Sequence, residues 1–80
     1  MSIESSIVVS RKGHDTGRAY LVAAEVGGDF LLLVDGRYRT LDKPKLKRAK
    51  HVKYAGKCAL DVTSATDADI RKALAAANVD

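Results

Sequence analysis

The sequence predicts a mostly β domain: a small, partly open barrel of about five short strands, with an α-helix at its C-terminal end, a single central sheet with a helix against it being the nearest competitor. Three observations carry that expectation. Short apolar and β-branched runs recur at Ile7–Val9, Ala19–Ala24 and Phe30–Val34, separated by Gly- and Asp-containing turn residues. Asp35-Gly36 directly follows the third run, and such a pair suits the hairpin turn whose two central residues need φ > 0. Only after Thr66 does the apolar spacing become helical.

In chain order, Ser6 to Arg11 reads as the first strand, with Ile7 and Val9 on one face and Val8 on the other. The loop Lys12–Arg18 holds His14, Asp15 and Thr16 between Gly13 and Gly17. Glycine takes φ > 0 without a steric penalty and Asp bonds its neighbouring backbone, so this loop is a compact turn. Arg18 to Glu25 forms the second strand. Ala19, Leu21 and Ala23 alternate with Tyr20, Val22 and Ala24, so both faces are apolar, the pattern of a strand covered on both sides. Gly27-Gly28-Asp29 turns the chain into Phe30–Val34, the centre of the core. Arg37–Leu41 is then expected as a strand after the Asp35-Gly36 turn, with Arg37 and Arg39 leaving one face roughly 7 Å apart and Tyr38 packed opposite them, stacking among the arginines being its other reading. Pro44 makes Asp42–Lys45 an exposed loop, and Leu46–Lys50 is a basic connector. His51–Tyr54 reads as an edge strand with Val52 and Tyr54 turned inward. The barrel thus spans about residues 7–54, a connector 55–65, and a helix about 67–77. Thr66 is placed to cap that helix, Asp67 and Asp69 sit at its positive end, and Ile70, Ala73, Leu74 and Ala77 form its apolar stripe. Arg71 and Lys72 face outward, and Asn78 is placed to end the helix.

Eighty residues make one small domain, since a chain of this size buries only about 60–65% of its extended surface. The longest apolar run falls well short of the roughly 20 residues of a membrane span, and the first six residues carry no basic flank or apolar signal core. A cytoplasmic monomer with no membrane association is expected. Cys58 is the single cysteine, and with His14 and His51 as the other soft ligands no metal site or cofactor is expected. His14, Asp15 and Thr16 shape a turn, and the sequence contains no convergent nucleophile and base, so no catalytic residues are assigned. Gly13-x-x-x-Gly17 lacks the Gly-Lys-Ser/Thr ending of a nucleotide-hydrolase phosphate loop.

Charge is informative. The chain carries +4 overall, yet between Gly36 and Lys57 nine Lys and Arg residues face Asp42 alone, a local +8. That asymmetry is the electrostatic footprint of a protein that meets a polyanion. The candidate contacts are Arg11, Lys12, His14, Arg18, Arg37, Arg39, Lys43, Lys45, Lys47, Arg48, Lys50 and Lys53. With one Phe and three Tyr, base stacking is not expected to dominate, and double-helical RNA read by shape through phosphates and 2′-hydroxyls fits better.

Val8–Val22, with its Lys12-Gly13-His14-Asp15-Thr16-Gly17-Arg18 centre, resembles a KOW motif, the loop between two strands of an SH3-like barrel in ribosomal proteins and transcription elongation factors. Leu33–Lys47, running through Asp35-Gly36-Arg37 and Lys43-Pro44-Lys45, is similar to bacterial KOW-domain RNA-binding proteins related to the eukaryotic and archaeal large-subunit ribosomal protein fourteen-e. Thr66–Leu74 resembles the helix that ends many of those proteins. The resemblance covers nearly the whole chain and implies an SH3-like barrel that binds structured RNA, including ribosomal RNA, with the ribosome as the setting. Many relatives carry a basic residue where Thr16 stands, which shifts the expected loop contacts to Lys12, His14 and Arg18. The competing function is an SH3-like module for an acidic protein partner, although peptide grooves of that kind are lined with more aromatic rings than this chain has.

Overall fold

The computed structural model of the chain describes residues 5–58 and 60–77. Five antiparallel strands, β1 (Ser6–Ser10), β2 (Ala19–Val26), β3 (Phe30–Val34), β4 (Lys45–Arg48) and β5 (Val52–Lys57), are followed by helix α1 (Asp67–Ala77). They form one sheet in the order β4-β3-β2-β1-β5. The two edge strands are therefore consecutive in the chain, joined only by a 3₁₀ turn at Ala49–His51. So short a link forces the sheet to curl until its edges approach, and the result is the expected partly open barrel. The 3₁₀ turn is tied down at both ends. Ala49 N–H donates to the Asp29 carbonyl (2.8 Å), and the His51 carbonyl accepts from Arg11 N–H (2.8 Å).

Because strand side chains alternate, the curled sheet has two apolar faces and both are filled. Val8, Tyr20, Val22, Leu31 and Leu33 pack on the inside, with Ala49 and Val52 against them. Ile7, Leu21, Val34, Val62 and Ile70 pack on the outside, where α1 and the segment before it cover the sheet. The two-faced reading of β2 holds. Leu21 and Tyr20, neighbours in sequence, lie in different clusters. α1 starts with a reciprocal cap in which Asp69 N–H donates to Thr66 Oγ1 (3.2 Å) and Thr66 N–H donates to the Asp69 carboxylate (3.0 Å). Of the expected stripe, Ile70 is buried, Ala73 and Leu74 are half-buried, and Ala77 is exposed. Asn78, and most of the N-terminal stretch read for a signal, lie outside the described residues.

Three expectations are corrected. Arg37–Leu41 is not a strand, and the partner of β3 is Lys45–Arg48, paired Leu33 to Lys45 through Phe30 to Arg48. The segment read as loop and connector, Lys45–Arg48, is thus β4. Tyr54 is 59% exposed rather than turned in. It stands opposite Val8, but on an edge strand that leaves it open to solvent.

Candidate nucleic-acid interface

The β1–β2 loop closes on itself first. Gly17 N–H donates to the Ser10 carbonyl (2.8 Å) and Arg18 N–H to the Asp15 carbonyl (2.9 Å), while the Thr16 hydroxyl donates to the Gly13 carbonyl (2.7 Å). Gly13 and Gly17 sit at φ +88° and +92°, the left-handed region open to glycine. Thr16 is consequently part of the turn.

This turn directs Asp15 inward, where it is 8% exposed. One carboxylate oxygen accepts from Ser10 Oγ (2.8 Å) and Lys47 Nζ (3.0 Å), the other from the Tyr20 hydroxyl (2.9 Å) and Lys45 Nζ (2.7 Å). Lys47 Nζ also donates to the Lys12 carbonyl (2.8 Å). Burial alone would raise the Asp15 pKa, but four donors, two of them cations, outweigh it and hold the carboxyl well below its usual range. Burial first, and then the bond to Asp15, push the Tyr20 hydroxyl up to about 12. Lys45 and Lys47, both expected among the RNA contacts, are half-buried and bonded to Asp15. On β4 the usual pattern is inverted: the lysines turn in and Leu46, 56% exposed, turns out.

The β3–β4 loop is built on a second aspartate. The Asp35 carboxylate accepts both Arg37 N–H and Arg39 N–H (2.8 Å each), and Asp35 and Gly36 N–H groups donate to the Arg39 carbonyl (2.9 and 3.1 Å). The backbone groups that a hairpin ladder would use are thus taken within the turn, which is why no strand follows Gly36. Arg37, Tyr38 and Arg39 stand at an exposed tip. Tyr38, expected to pack, is 69% exposed, and the Arg18 guanidinium lies 5.0 Å from its ring centroid. The base of the loop is fixed to α1. Leu41 N–H donates to the Asp67 carboxylate (2.9 Å) and the Arg71 guanidinium donates to the Gly36 carbonyl.

The register brings the ends of β1 and β3 and the starts of β2 and β4 together, so the two loops meet at one end of the barrel. Between them lies a depression of about 310 Å³, floored by Asp15 and Tyr20 and walled by His14, Arg18, Tyr38, Arg39 and Lys45. A second group surrounds the 3₁₀ turn. Partial burial, and then Lys12, Lys50, Lys47 and Arg48, lower the His51 pKa, a sign of positive potential there. Arg48 and Lys50 line a further depression of about 380 Å³ with Asp29 and Ala49, and the Arg48 guanidinium lies 5.3 Å from the Phe30 ring centroid.

The structure gathers His14, Arg18, Arg39 and Lys45 around the first depression and Arg48 and Lys50 around the second, while Lys47, bonded to the Lys12 carbonyl, and Lys12 itself line neither. Arg37 and Lys43 are exposed on the loop beside the first, whereas Arg11 and Lys53 are exposed at the end of β1 and on β5 and line neither. Sequence reading did not identify Asp15 as an organiser, nor Tyr20 and His51 as members of the site. Among the described residues no group of three or more His, Cys, Asp or Glu side chains could hold a metal ion, and no helix is long and apolar enough to cross a membrane. The chain matches no known protein-family model and no curated protein.

Proposed function

We propose that the chain is a non-catalytic RNA-binding domain that holds structured RNA by its phosphates, as a cytoplasmic monomer. The observation that carries this reading is the pair of basic depressions, one where the two loops meet the start of β4 and one at the 3₁₀ turn after it, around which Arg18, Arg39, Arg48 and Lys50 remain exposed. Exposed arginine and lysine heads neutralise phosphates and release counterions, while arginine also meets base edges. Asp15 strengthens the arrangement by fixing Lys45 in the wall of the first depression. The resemblance to KOW-domain proteins supports the same ligand and points to ribosomal RNA within that class.

The test is binding to an RNA hairpin over a series of salt concentrations. About five neutralised phosphates give a slope of log affinity against log salt near −3.5 to −4.5. Replacing Lys12, Arg39, Arg48 and Lys50 with Gln flattens that slope while circular dichroism shows the fold retained, since exposed charges contribute little to stability. An unchanged slope in the folded variant overturns this placement. Absence of salt-dependent RNA binding in the native chain overturns the function and favours the acidic protein partner.

A further inference from the structure

A phosphate surface does not by itself explain Tyr38. An exposed aromatic ring at a loop tip has no role in packing, and this one is held against a cation beside a concave site. Its loop is fixed from below by the Asp35 carboxylate and by Arg71 of α1, so the ring stands on a braced turn. The depression next to it is about 310 Å³, at the small end of the roughly 300–1,000 Å³ of ligand pockets. That is room for one nucleotide and not for a duplex.

The chemistry of the walls divides in the same way. Tyr38 supplies a π-face, and Arg18, 5.0 Å from its centroid, supplies a cation that also stacks on bases. Arg39 and Lys45 supply positive charge on the same depression, with His14 as a further polar wall. Asp15 does not cancel this. Both of its oxygens already accept two donors, and three full cations in the lining stand against its one charge. Lys45, held 2.7 Å from the carboxylate, keeps further N–H donors that the bond to Asp15 does not use.

We propose that this depression is a subsite for a single unpaired nucleotide of the bound RNA, with its base stacked on Tyr38 and its phosphate held by Arg39 and Lys45. The proposal rests on the RNA-binding reading above and adds the form of RNA preferred: a helix carrying a bulged or extruded nucleotide next to the paired region that the remaining cations hold. One stacked base is sequence-tolerant, because every base has a π-face, so the preference is for a structural feature of the RNA and not for a sequence.

The test compares two RNA hairpins that differ only by one bulged nucleotide, measured against the native chain and against Tyr38→Leu and Tyr38→Phe. The bulged hairpin is expected to bind about 5-fold tighter or more, the lower bound for one base on one ring. Tyr38→Leu removes that preference and leaves binding of the fully paired hairpin unchanged, while Tyr38→Phe keeps it. In NMR spectra the Tyr38 ring protons move upfield on adding the bulged hairpin and not the paired one, a ring-current signature that a merely structural residue would not give. Equal affinity for the two hairpins, or a preference that survives in Tyr38→Leu, overturns the subsite while leaving the phosphate surface in place. Failure of both hairpins to bind with a salt-dependent affinity removes the phosphate surface and the subsite together.

Discussion

Two loops build the basic end of the barrel, each around one aspartate, yet the two carboxylates do different work. Asp35 is half-buried and spends its hydrogen bonds on backbone N–H groups two and four residues away. Asp15 is buried, and among its partners are two lysines on β4, 30 and 32 residues further along the chain. The first aspartate shapes a turn that any sequence with the right local residues could form. The second joins two parts of the barrel through charge, and its loss would strand cations in a partly desolvated place. A local device and a long-range one thus stand side by side, and of the two carboxylates only Asp15 links distant parts of the sheet.

The largest expected effect is at Asp15. Asp15→Ala leaves Lys47, whose side chain is 10% exposed, and Lys45, 25% exposed, without their carboxylate, and breaking a buried pair costs about 3–5 kcal/mol. Denaturant unfolding measures this, and a loss below about 1 kcal/mol would make the pair no better than a surface ion pair. The dependence on pH sharpens it. A carboxyl whose folded pKa is depressed gives stability that is complete above its unfolded value, about 3.9, and is lost as pH falls towards the folded value. The stability gap between the native chain and Asp15→Asn should therefore be full at neutral pH and narrow steadily below about pH 4.

Gly36 tests how the other loop is braced. It lies at φ +77°, and a Cβ there would collide with the Asp67 carbonyl oxygen and press on Arg71. Gly36→Ala should cost about 2–3 kcal/mol, from left-handed strain together with overpacking against the helix backbone. Gly17 is the control for the close approach: it has a similar φ, and a Cβ there meets nothing within 4 Å, so Gly17→Ala should cost distinctly less. Equal losses would mean that the loop does not rest on α1. For Asp35 itself the expected loss is smaller again. Asp35→Ala removes two exposed backbone hydrogen bonds and should cost about 1–2 kcal/mol, with RNA affinity falling more than stability because Tyr38 and Arg39 lose their fixed position. An Asp35→Ala variant as unstable as Asp15→Ala would erase the distinction between the two aspartates.

How much of this was legible in the sequence follows from the same distinction. β1, β2, β3 and α1 announce themselves because their side chains obey local rules: alternation for Ile7–Val9 and Ala19–Ala24, a continuous run for Phe30–Val34, and a cap with a stripe for Thr66–Leu74. The glycine loop was legible for the same reason. β4 was not, because its inward side chains are Lys45 and Lys47 and its one apolar residue faces solvent. That pattern makes sense only with Asp15 opposite, and spacing along the chain gives no hint of a partner 30 residues away. Asp35-Gly36 was read as a hairpin from a sound rule, but a carboxylate that captures the N–H groups of Arg37 and Arg39 competes with the ladder and wins. The basic residues were recognised as a set. Which of them are free and which are bound to Asp15 depends on contacts that no local pattern encodes.

The smallest expected effect concerns that inverted strand and tests it directly. Side chains alternate with a period of two, so a slip of one residue in the pairing of β4 with β3 would send Leu46 inward and both lysines out. In the observed register Leu46 stands opposite Leu32 and is 56% exposed, while Lys47 stands opposite Leu31. Leu46→Ala should accordingly change stability by no more than about 0.5 kcal/mol, as exposed substitutions do. Lys47→Ala removes two hydrogen bonds, one of them to a buried carboxylate, and should cost about 1.5–3 kcal/mol, the range for bonds to charged groups. Denaturant midpoints for the two variants, measured side by side, decide between the registers. A leucine that costs more than its neighbouring lysine would place the hydrophobic side chain in the core, release both lysines to solvent, and leave Asp15 without the partners on which its role depends.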